Sequence, residues 1–138
     1  MYVIEIDPVG IFQAFSERTR LRVIKLFLAL NGEELCLCEL TDALQEAEYN
    51  ISRHLKVLRR AGLLTSRKHG RWVYHSLTGN TGLLTLFAFI KSLPDPDGIY
   101  REDLKRIRIE IRKRKGVRCT KDAPEISKRF AAGARKRA

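Results

Sequence analysis

A helix with a single apolar stripe, followed directly by a hairpin, is the feature that most limits how this 138-residue chain can fold. Residues 47–61 place Ile51, Leu55 and Leu58 at spacings of four and three, the period of a helix with one buried face. Polar and basic residues occupy the other faces, and Gly62 follows as a stop signal. The stretch therefore predicts an amphipathic helix that packs one side on a core and presents the other to solvent.

The hairpin is predicted by two runs rich in β-forming residues, 63–68 and 71–77, which flank His69-Gly70. Helical spacing elsewhere predicts further helices over 8–30 (with a bend at 16–19), 35–45, 83–93 and about 100–115. Two short helices, an exposed basic helix and a basic hairpin, in this order, predict a mainly α fold with a β-hairpin wing, a winged helix-turn-helix.

Charge and turn residues divide the chain. Residues 1–100 carry 12 Lys and Arg against 11 Asp and Glu, whereas residues 101–138 carry 15 against 5, within a net charge of +11. The Pro- and Asp-rich stretch before Gly98 is typical of a linker. We therefore expect a domain over 1–93, a linker over 94–99, and a basic helix with a flexible tail over 100–138. Such a tail either attracts polyphosphate without reading sequence or only solubilises the protein.

Several classes of protein are disfavoured. No run approaches the roughly 18 apolar residues that span a bilayer, and the N-terminus lacks the features of a signal peptide. Three unevenly placed cysteines do not form a disulfide framework. The expectation is a soluble cytoplasmic protein with reduced thiols and no membrane partner.

Polar and basic side chains on helix 47–61 and on the hairpin are candidates for contacts with double-stranded DNA. The first turns of such a helix meet base edges, later turns face phosphates, and a basic wing lies beside the backbone. A solvated cationic helix face is the alternative. The candidate DNA-binding residues are Asn50, Ser52, Arg53, His54, Lys56, Arg59, Arg60, Lys68 and Arg71.

Cys36 and Cys38 lie one residue apart near a predicted helix start. Thiolates are preferred ligands of soft ions, and a helix start favours the thiolate form. On an ideal helix the two positions are about 200° apart, so both cannot face one core. Only an irregular helix start brings the sulfurs together, and a functional pair is favoured over two small core residues.

The sequence of residues 34–40 and 49–77 resembles the ArsR branch of the ArsR/SmtB family of dimeric bacterial repressors. The matching segments are ELCLCEL from 34, ISRHLKVL from 51, AGLL from 61 and RKHGRWVYH from 67. The resemblance covers roughly residues 8–92. It implies a winged-helix homodimer that represses an arsenic-resistance operon and leaves operator DNA when As(III) or Sb(III) binds.

The resemblance also implies roles for individual residues. Cys36 and Cys38 are the two metalloid ligands. Some family members carry a third Cys three residues beyond the second, where this chain has Thr41. The third ligand is then solvent, a small thiol, or Cys119 from the tail. The expected dimer interface lies on the first and fifth helices, at Phe12, Phe15, Leu83, Leu86, Phe87, Phe89 and Ile90.

Other readings remain open within and outside this fold. Cadmium- and lead-sensing relatives add cysteines in an N-terminal arm, but residues 1–35 contain none. Zinc-sensing relatives use Asp and His on the dimerisation helix, and residues 81–93 contain neither. A thiol redox sensor would use the same pair. A thiol enzyme is disfavoured, since no Cys-His-Asp/Asn constellation is visible. Sequence-independent coating of DNA would depend on the tail.

Overall fold

The structure is a computed structural model that describes residues 7–114. Helices form most of it, and a small antiparallel sheet joins them. A short 3-10 turn, Thr81–Leu83, precedes the fifth helix. In chain order the elements are α1 Pro8–Phe15, α2 Arg18–Leu30, β1 Leu35–Cys36, α3 Leu37–Leu44, α4 Glu48–Arg60, β2 Leu64–His69, β3 Trp72–Leu77, α5 Leu84–Lys91 and α6 Ile99–Lys113.

The sheet has the strand order β1-β3-β2 and is antiparallel throughout. β2 and β3 form the predicted hairpin, whose tip pairs His69 with Trp72. Gly70 at the tip has φ of +64°, a left-handed conformation that glycine adopts at little cost. The sequence did not predict β1, which pairs Cys36 with Tyr74 on β3. The wing is therefore joined along its inner strand to the segment that carries the thiols.

The third helix begins later than predicted. The sequence suggested a helix over residues 35–45, but Leu35 and Cys36 are extended, and α3 starts at Leu37. Pairing with β3 holds these two residues in the sheet, and Cys36 then occupies the N-cap position of α3 with φ −98° and ψ 168°. A strand of two residues leaves no periodic signal in the sequence.

The core lies between the helices and the inner face of the sheet. The predicted stripe of α4 is confirmed, since Ile51, Leu55 and Leu58 are at most 1% exposed. Full burial of side chains of this size stabilises a fold by roughly 1.5–3 kcal/mol each. This stripe fixes which face of α4 remains outside.

The C-terminal helix α6 folds back onto α2 and α3 and joins the same core, where Ile107 is fully buried. The segment 94–99 turns the chain, and the Asp95 carboxylate accepts hydrogen bonds from the backbone N–H of Tyr100 and Arg101. Residues 99–113 are thus an integral layer of the fold. The predicted tail, including Cys119, lies outside the described residues.

None of the helices within 7–114 is both long and apolar enough to cross a membrane.

Candidate functional site

The two thiols meet at the junction of β1 and α3. Cys36 ends the strand in an extended conformation, and Cys38 lies in the first turn of the helix. Their Sγ atoms are 3.1 Å apart, and the residues are 2% and 5% exposed. This is the irregular helix start that the sequence argument required, and it brings both sulfurs to one side.

The sulfur separation suits a shared soft ion. A disulfide would hold the sulfurs about 2.05 Å apart. Two thiolates bonded at about 2.3 Å to one ion lie roughly 3.2–3.8 Å apart, for bond angles from about 90° to 109°. The observed 3.1 Å is close to that range. Small movements of Cys36 and Cys38 would therefore allow both to bind the same ion.

A third donor is missing from this part of the chain. Within residues 7–114 no cluster of three or more His, Cys, Asp or Glu side chains is arranged to hold a metal. Thr41 lies one turn beyond Cys38, and its Oγ1 is buried with no hydrogen-bond partner in the described region. Within the described region the pair thus supplies two soft donors without a third His, Cys, Asp or Glu ligand arranged beside them.

Aromatic side chains from the wing enclose the thiols. Trp72 and Tyr74 of β3 pack with Cys36 and Cys38 in a buried cluster separate from the main core. Trp72 is 7% exposed and Tyr74 1%. The aromatic rings exclude water from the sulfurs, and they also place the wing strand in contact with them. A movement of Cys36 or Cys38 would consequently displace the side chains of β3 that pack on them.

A carboxylate and a guanidinium hold the segment around the thiols. The backbone N–H of Cys36 donates to Glu39 Oε1 at 3.1 Å. Arg114, at the end of α6, donates from Nε to Glu39 Oε2 at 2.6 Å and from a terminal nitrogen to Oε1 at 2.8 Å. It also binds Glu33 Oε1 at 2.9 Å and the carbonyl of Glu34. Sequence reasoning missed Arg114, because a basic residue near a basic tail carries no signal of burial.

The wing is tied to the same segment by Arg67. Its guanidinium donates to both carboxylate oxygens of Glu34 at 2.7 and 2.8 Å and lies 5.2 Å from the centroid of Tyr74. Arg67 is thereby engaged within the subunit. Lys68 and Arg71, the predicted wing contacts, are exposed at the hairpin tip.

The outer face of α4 presents most of the predicted DNA contacts. Asn50, Ser52, Arg53, Lys56 and Arg60 are exposed, and Arg59 is half-buried. Tyr49, which sequence reasoning had not selected, is 70% exposed, and Arg53 lies over its ring at 5.4 Å. An aromatic ring on an otherwise polar face was the signal that could have found it.

His54 is placed differently from the other candidates. Its side chain is 12% exposed, with Nδ1 3.1 Å from the Arg20 guanidinium and Nε2 3.7 Å from a Glu17 carboxylate oxygen. In this arrangement His54 connects α4 to α2 and points away from the exposed face.

Comparisons with known proteins agree with this geometry. Residues 17–66 match the model of the family described as "Bacterial regulatory protein, arsR family". The arsenical resistance operon repressor of Escherichia coli strain K12 is 42% identical over 71 residues, which are 51% of this chain and 59% of that protein. An uncharacterised HTH-type transcriptional regulator of Methanocaldococcus jannaschii is 43% identical over 65 residues, covering 47% of this chain and 71% of that protein.

A solved structure shares the fold. The transcriptional regulator HlyU of Vibrio vulnificus CMCP6 superposes with a TM-score of 0.53 at 30% identity, covering 64% of this chain and 88% of that one. This chain covers 55–61% of the lengths of three relatives named for arsenical or arsenic resistance, the Escherichia coli repressor and two regulators of Pseudomonas putida strain KT2440. Residues 17–66, which match the family model, contain Cys36, Cys38 and α4. By its sequence and its winged-helix fold, this chain belongs to the arsR family of bacterial regulatory proteins.

Proposed function

We propose that this protein is a transcriptional repressor of a metalloid-resistance operon, which binds operator DNA as a homodimer and releases it when As(III) or Sb(III) binds Cys36 and Cys38. The observation that carries the proposal is the buried sulfur pair, 3.1 Å apart, at the junction of β1 and α3. Relatives whose names refer to arsenical resistance support the choice of metalloid.

DNA binding is assigned to the exposed face of α4 and to the hairpin tip. Asn pairs with adenine and Arg with guanine through two hydrogen bonds each, whereas Lys contacts phosphate as a point charge. Asn50 and Arg53 on the first turns of α4 therefore read bases, while Lys56, Lys68 and Arg71 neutralise phosphates. His54 does not contact DNA in this assignment, since its two ring nitrogens already contact Arg20 and Glu17. It instead supports the position of α4 against α2.

Release follows from the position of the thiols. α3 packs against α4, and β1 pairs with β3 of the wing. An ion bound by both Cys36 and Cys38 changes the positions of their sulfurs, and this shifts the start of α3 and the inner strand of the wing simultaneously. A ligand changes an equilibrium only through unequal affinity for the two states. The metalloid must accordingly bind more tightly to the shape that fits operator poorly.

The third ligand is assigned to Cys119, with solvent or a small thiol as the alternatives. Arg114, which ends the described part of α6, contacts Glu39 one residue from Cys38. Five residues of extended chain reach at most about 16–18 Å. Cys119 of either subunit is therefore a candidate, and Cys119→Ser is expected to weaken metalloid binding without preventing it.

The test is a gel shift with the DNA upstream of the gene, with and without arsenite. Cys36→Ser and Cys38→Ser should bind this DNA like the wild type and remain bound when arsenite is added. Cys119→Ser should need more arsenite for release. Release of both Cys36→Ser and Cys38→Ser at wild-type arsenite concentrations would refute the assignment of the ligands.

A thiol redox sensor is a second candidate, favoured by the short distance between the sulfurs. An oxidant of the peroxide class would take two electrons and two protons from the thiols as an S–S bond forms between Cys36 and Cys38. Titration of reduced protein with arsenite in the absence of oxygen separates the two. Release under those conditions supports the metalloid, and release only by peroxide supports the redox sensor.

A further inference from the structure

Arg114 has an environment that a basic residue at a helix end rarely has. It is 6% exposed, and its guanidinium is shared among Glu39, Glu33 and the carbonyl of Glu34. Charged side chains are almost never fully buried unless they are paired. All three partners lie in the segment 33–39 that carries the thiols, so α6 ends on the candidate metalloid site.

The contacts form a direct chain from α6 to a thiol residue. Arg114 binds both oxygens of Glu39, and Glu39 Oε1 also accepts the backbone N–H of Cys36. Glu39 is itself 3% exposed. Without the guanidinium, this carboxylate would be a buried charge with no cation, which is strongly unfavourable. Glu39 would then turn toward water and leave the amide of Cys36 without its acceptor.

The rest of α6 provides a firm base for this contact. Asp103, fully buried, accepts hydrogen bonds from Arg22 at 2.8 Å and from Arg106 at 2.9 Å. Arg106 also donates to the carbonyl of Ala43 at 2.6 Å, near the end of α3. Since Arg114 reaches the start of α3 and Arg106 its end, the two helices are antiparallel and joined at both ends.

We propose that α6 holds the metalloid-binding thiols in their close arrangement, and that Arg114 is the positioning residue that does so through Glu39. The inference rests on the proposed function, because it assigns Arg114 a part in inducer binding. A site held close to its bound geometry binds more tightly, since less order has to be imposed on binding. Groups that orient metal ligands typically contribute about 10–100-fold to affinity.

The test is an anaerobic titration of the full-length chain with arsenite, followed by the fluorescence of Trp72. This residue is the only tryptophan of the chain and packs with Cys36 and Cys38, so it reports binding directly. Arg114→Ala is expected to weaken arsenite binding by about 10–100-fold. Arg114→Lys keeps the charge but cannot bind both oxygens of Glu39, and its affinity should be intermediate.

Arg106→Ala is the matched control. It also removes a guanidinium that joins α6 to α3, but at the end of α3 distant from the thiols. Arsenite affinity within about threefold of the wild type is expected for it. Affinity for operator DNA in the absence of arsenite is measured for every variant. It should stay near the wild-type value, which would show that α4 and the wing are correctly folded.

The outcomes separate the two proposals. If wild-type protein binds arsenite and Arg114→Ala and Arg114→Lys bind it equally well, the role of Arg114 is refuted and the proposed function stands. Equal losses in Arg106→Ala and Arg114→Ala also refute it, because general docking of α6 would explain both. If Cys36→Ser binds arsenite like the wild type, or if the wild type does not bind it, the proposed function fails.

Discussion

At the scale of single residues, Thr41 occupies the position at which a third thiol would complete the proposed metalloid site. Its Oγ1 is buried, and a soft ion prefers sulfur to a hydroxyl. Thr41→Cys would add a thiol one turn beyond Cys38. We expect arsenite affinity to rise at least about tenfold, equivalent to about 1.4 kcal/mol. Titration followed by Trp72 fluorescence measures the change, and unchanged affinity would mean that a side chain at 41 does not reach the ion.

The same substitution tests Cys119. If Cys119 is the third ligand, Cys119→Ser weakens binding in the wild-type chain. In the Thr41→Cys background the loss should be much smaller, because the thiol introduced on α3 already serves as the third ligand. An equal loss in both backgrounds would show that Cys119 acts in some other way.

His75 makes folding stability depend on pH. It lies on β3 opposite Leu35 and is 4% exposed, and its Nδ1 has no hydrogen-bond partner in the described region. Burial, assisted by the positive charge of Arg59, lowers the pKa of His75 to about 4 from an ordinary 6.5. Between these values the unfolded chain binds a proton that the folded chain does not. The free energy of unfolding therefore decreases as the pH falls from about 6.5 toward 4.

Urea unfolding at pH 7.5, 6 and 5 measures this contribution. The stabilisation due to His75 is fully present above pH 6.5, and on the order of 3 kcal/mol of it is lost by pH 4. His75→Phe should lose less stability than the wild type over the same range. His69→Gln, at the exposed hairpin tip, is the control. Equal pH dependence in wild type and His75→Phe would contradict the prediction.

At the scale of elements, the local helices were predictable and the long-range pairings were not. The apolar stripe of α4 consists of Ile51, Leu55 and Leu58. It was predictable because both the helical spacing and the buried face can be read from residues close together in the sequence. β1 has two residues and exists because β3, almost forty residues later, pairs with it. The ion pair of Arg22 with Asp103 spans 81 residues and left no sequence signal.

Helix α4 and the hairpin wing should contribute differently to DNA binding. Asn50→Ala removes a base contact and is expected to cost about 1–3 kcal/mol on operator, with little effect on unrelated DNA. Lys68→Ala removes a phosphate contact, so it should weaken both and reduce the slope of log affinity against log salt by about 1. Fluorescence anisotropy at several salt concentrations distinguishes them. Equal effects of Asn50→Ala on both DNAs would contradict base reading.

Docking of α6 depends on a buried ion pair. Asp103 is fully buried, and its hydrogen bond raises the pKa of Arg22, whose side chain is 12% exposed. Asp103→Ala removes the buried carboxylate and leaves Arg22 only the longer contact with Glu46 at 3.5 Å, so it should destabilise the fold by about 3–5 kcal/mol in urea unfolding. The adjacent Glu102→Ala breaks an exposed pair with Lys105 and should cost less than about 1 kcal/mol. Similar losses in both would show that Asp103 is not a structural anchor.

At the scale of the whole molecule, the segment 33–39 is where the parts meet. It is joined to α6 by Arg114, to the wing by Arg67 and by the pairing of Cys36 with Tyr74, and to α4 through the packing of α3. The sequence predicted the thiols and the DNA-binding face separately. Their physical connection depends on contacts between distant residues, which is why only the structure shows it.

A homodimer is the remaining requirement of the proposed mechanism, since two half-sites are read by two α4 helices. Not all residues of the predicted interface are available to a partner, because Leu83, Phe87 and Ile90 are buried within the subunit. Phe12 and Phe89, in contrast, are 65% and 60% exposed. Val9 on α1 and Leu84 on α5 are similarly exposed. We expect these four side chains to be covered by the partner subunit.

Phe89→Glu should place a charge in that interface and produce a monomer, because an unpaired buried charge outweighs the apolar contact it replaces. Operator affinity should fall sharply, since one subunit reads one half-site. Sedimentation velocity over a range of protein concentrations measures the dissociation. Ile109→Glu, on α6 with 43% exposure, is the control and should remain dimeric. A wild-type sedimentation coefficient for Phe89→Glu would place the dimer interface on another surface.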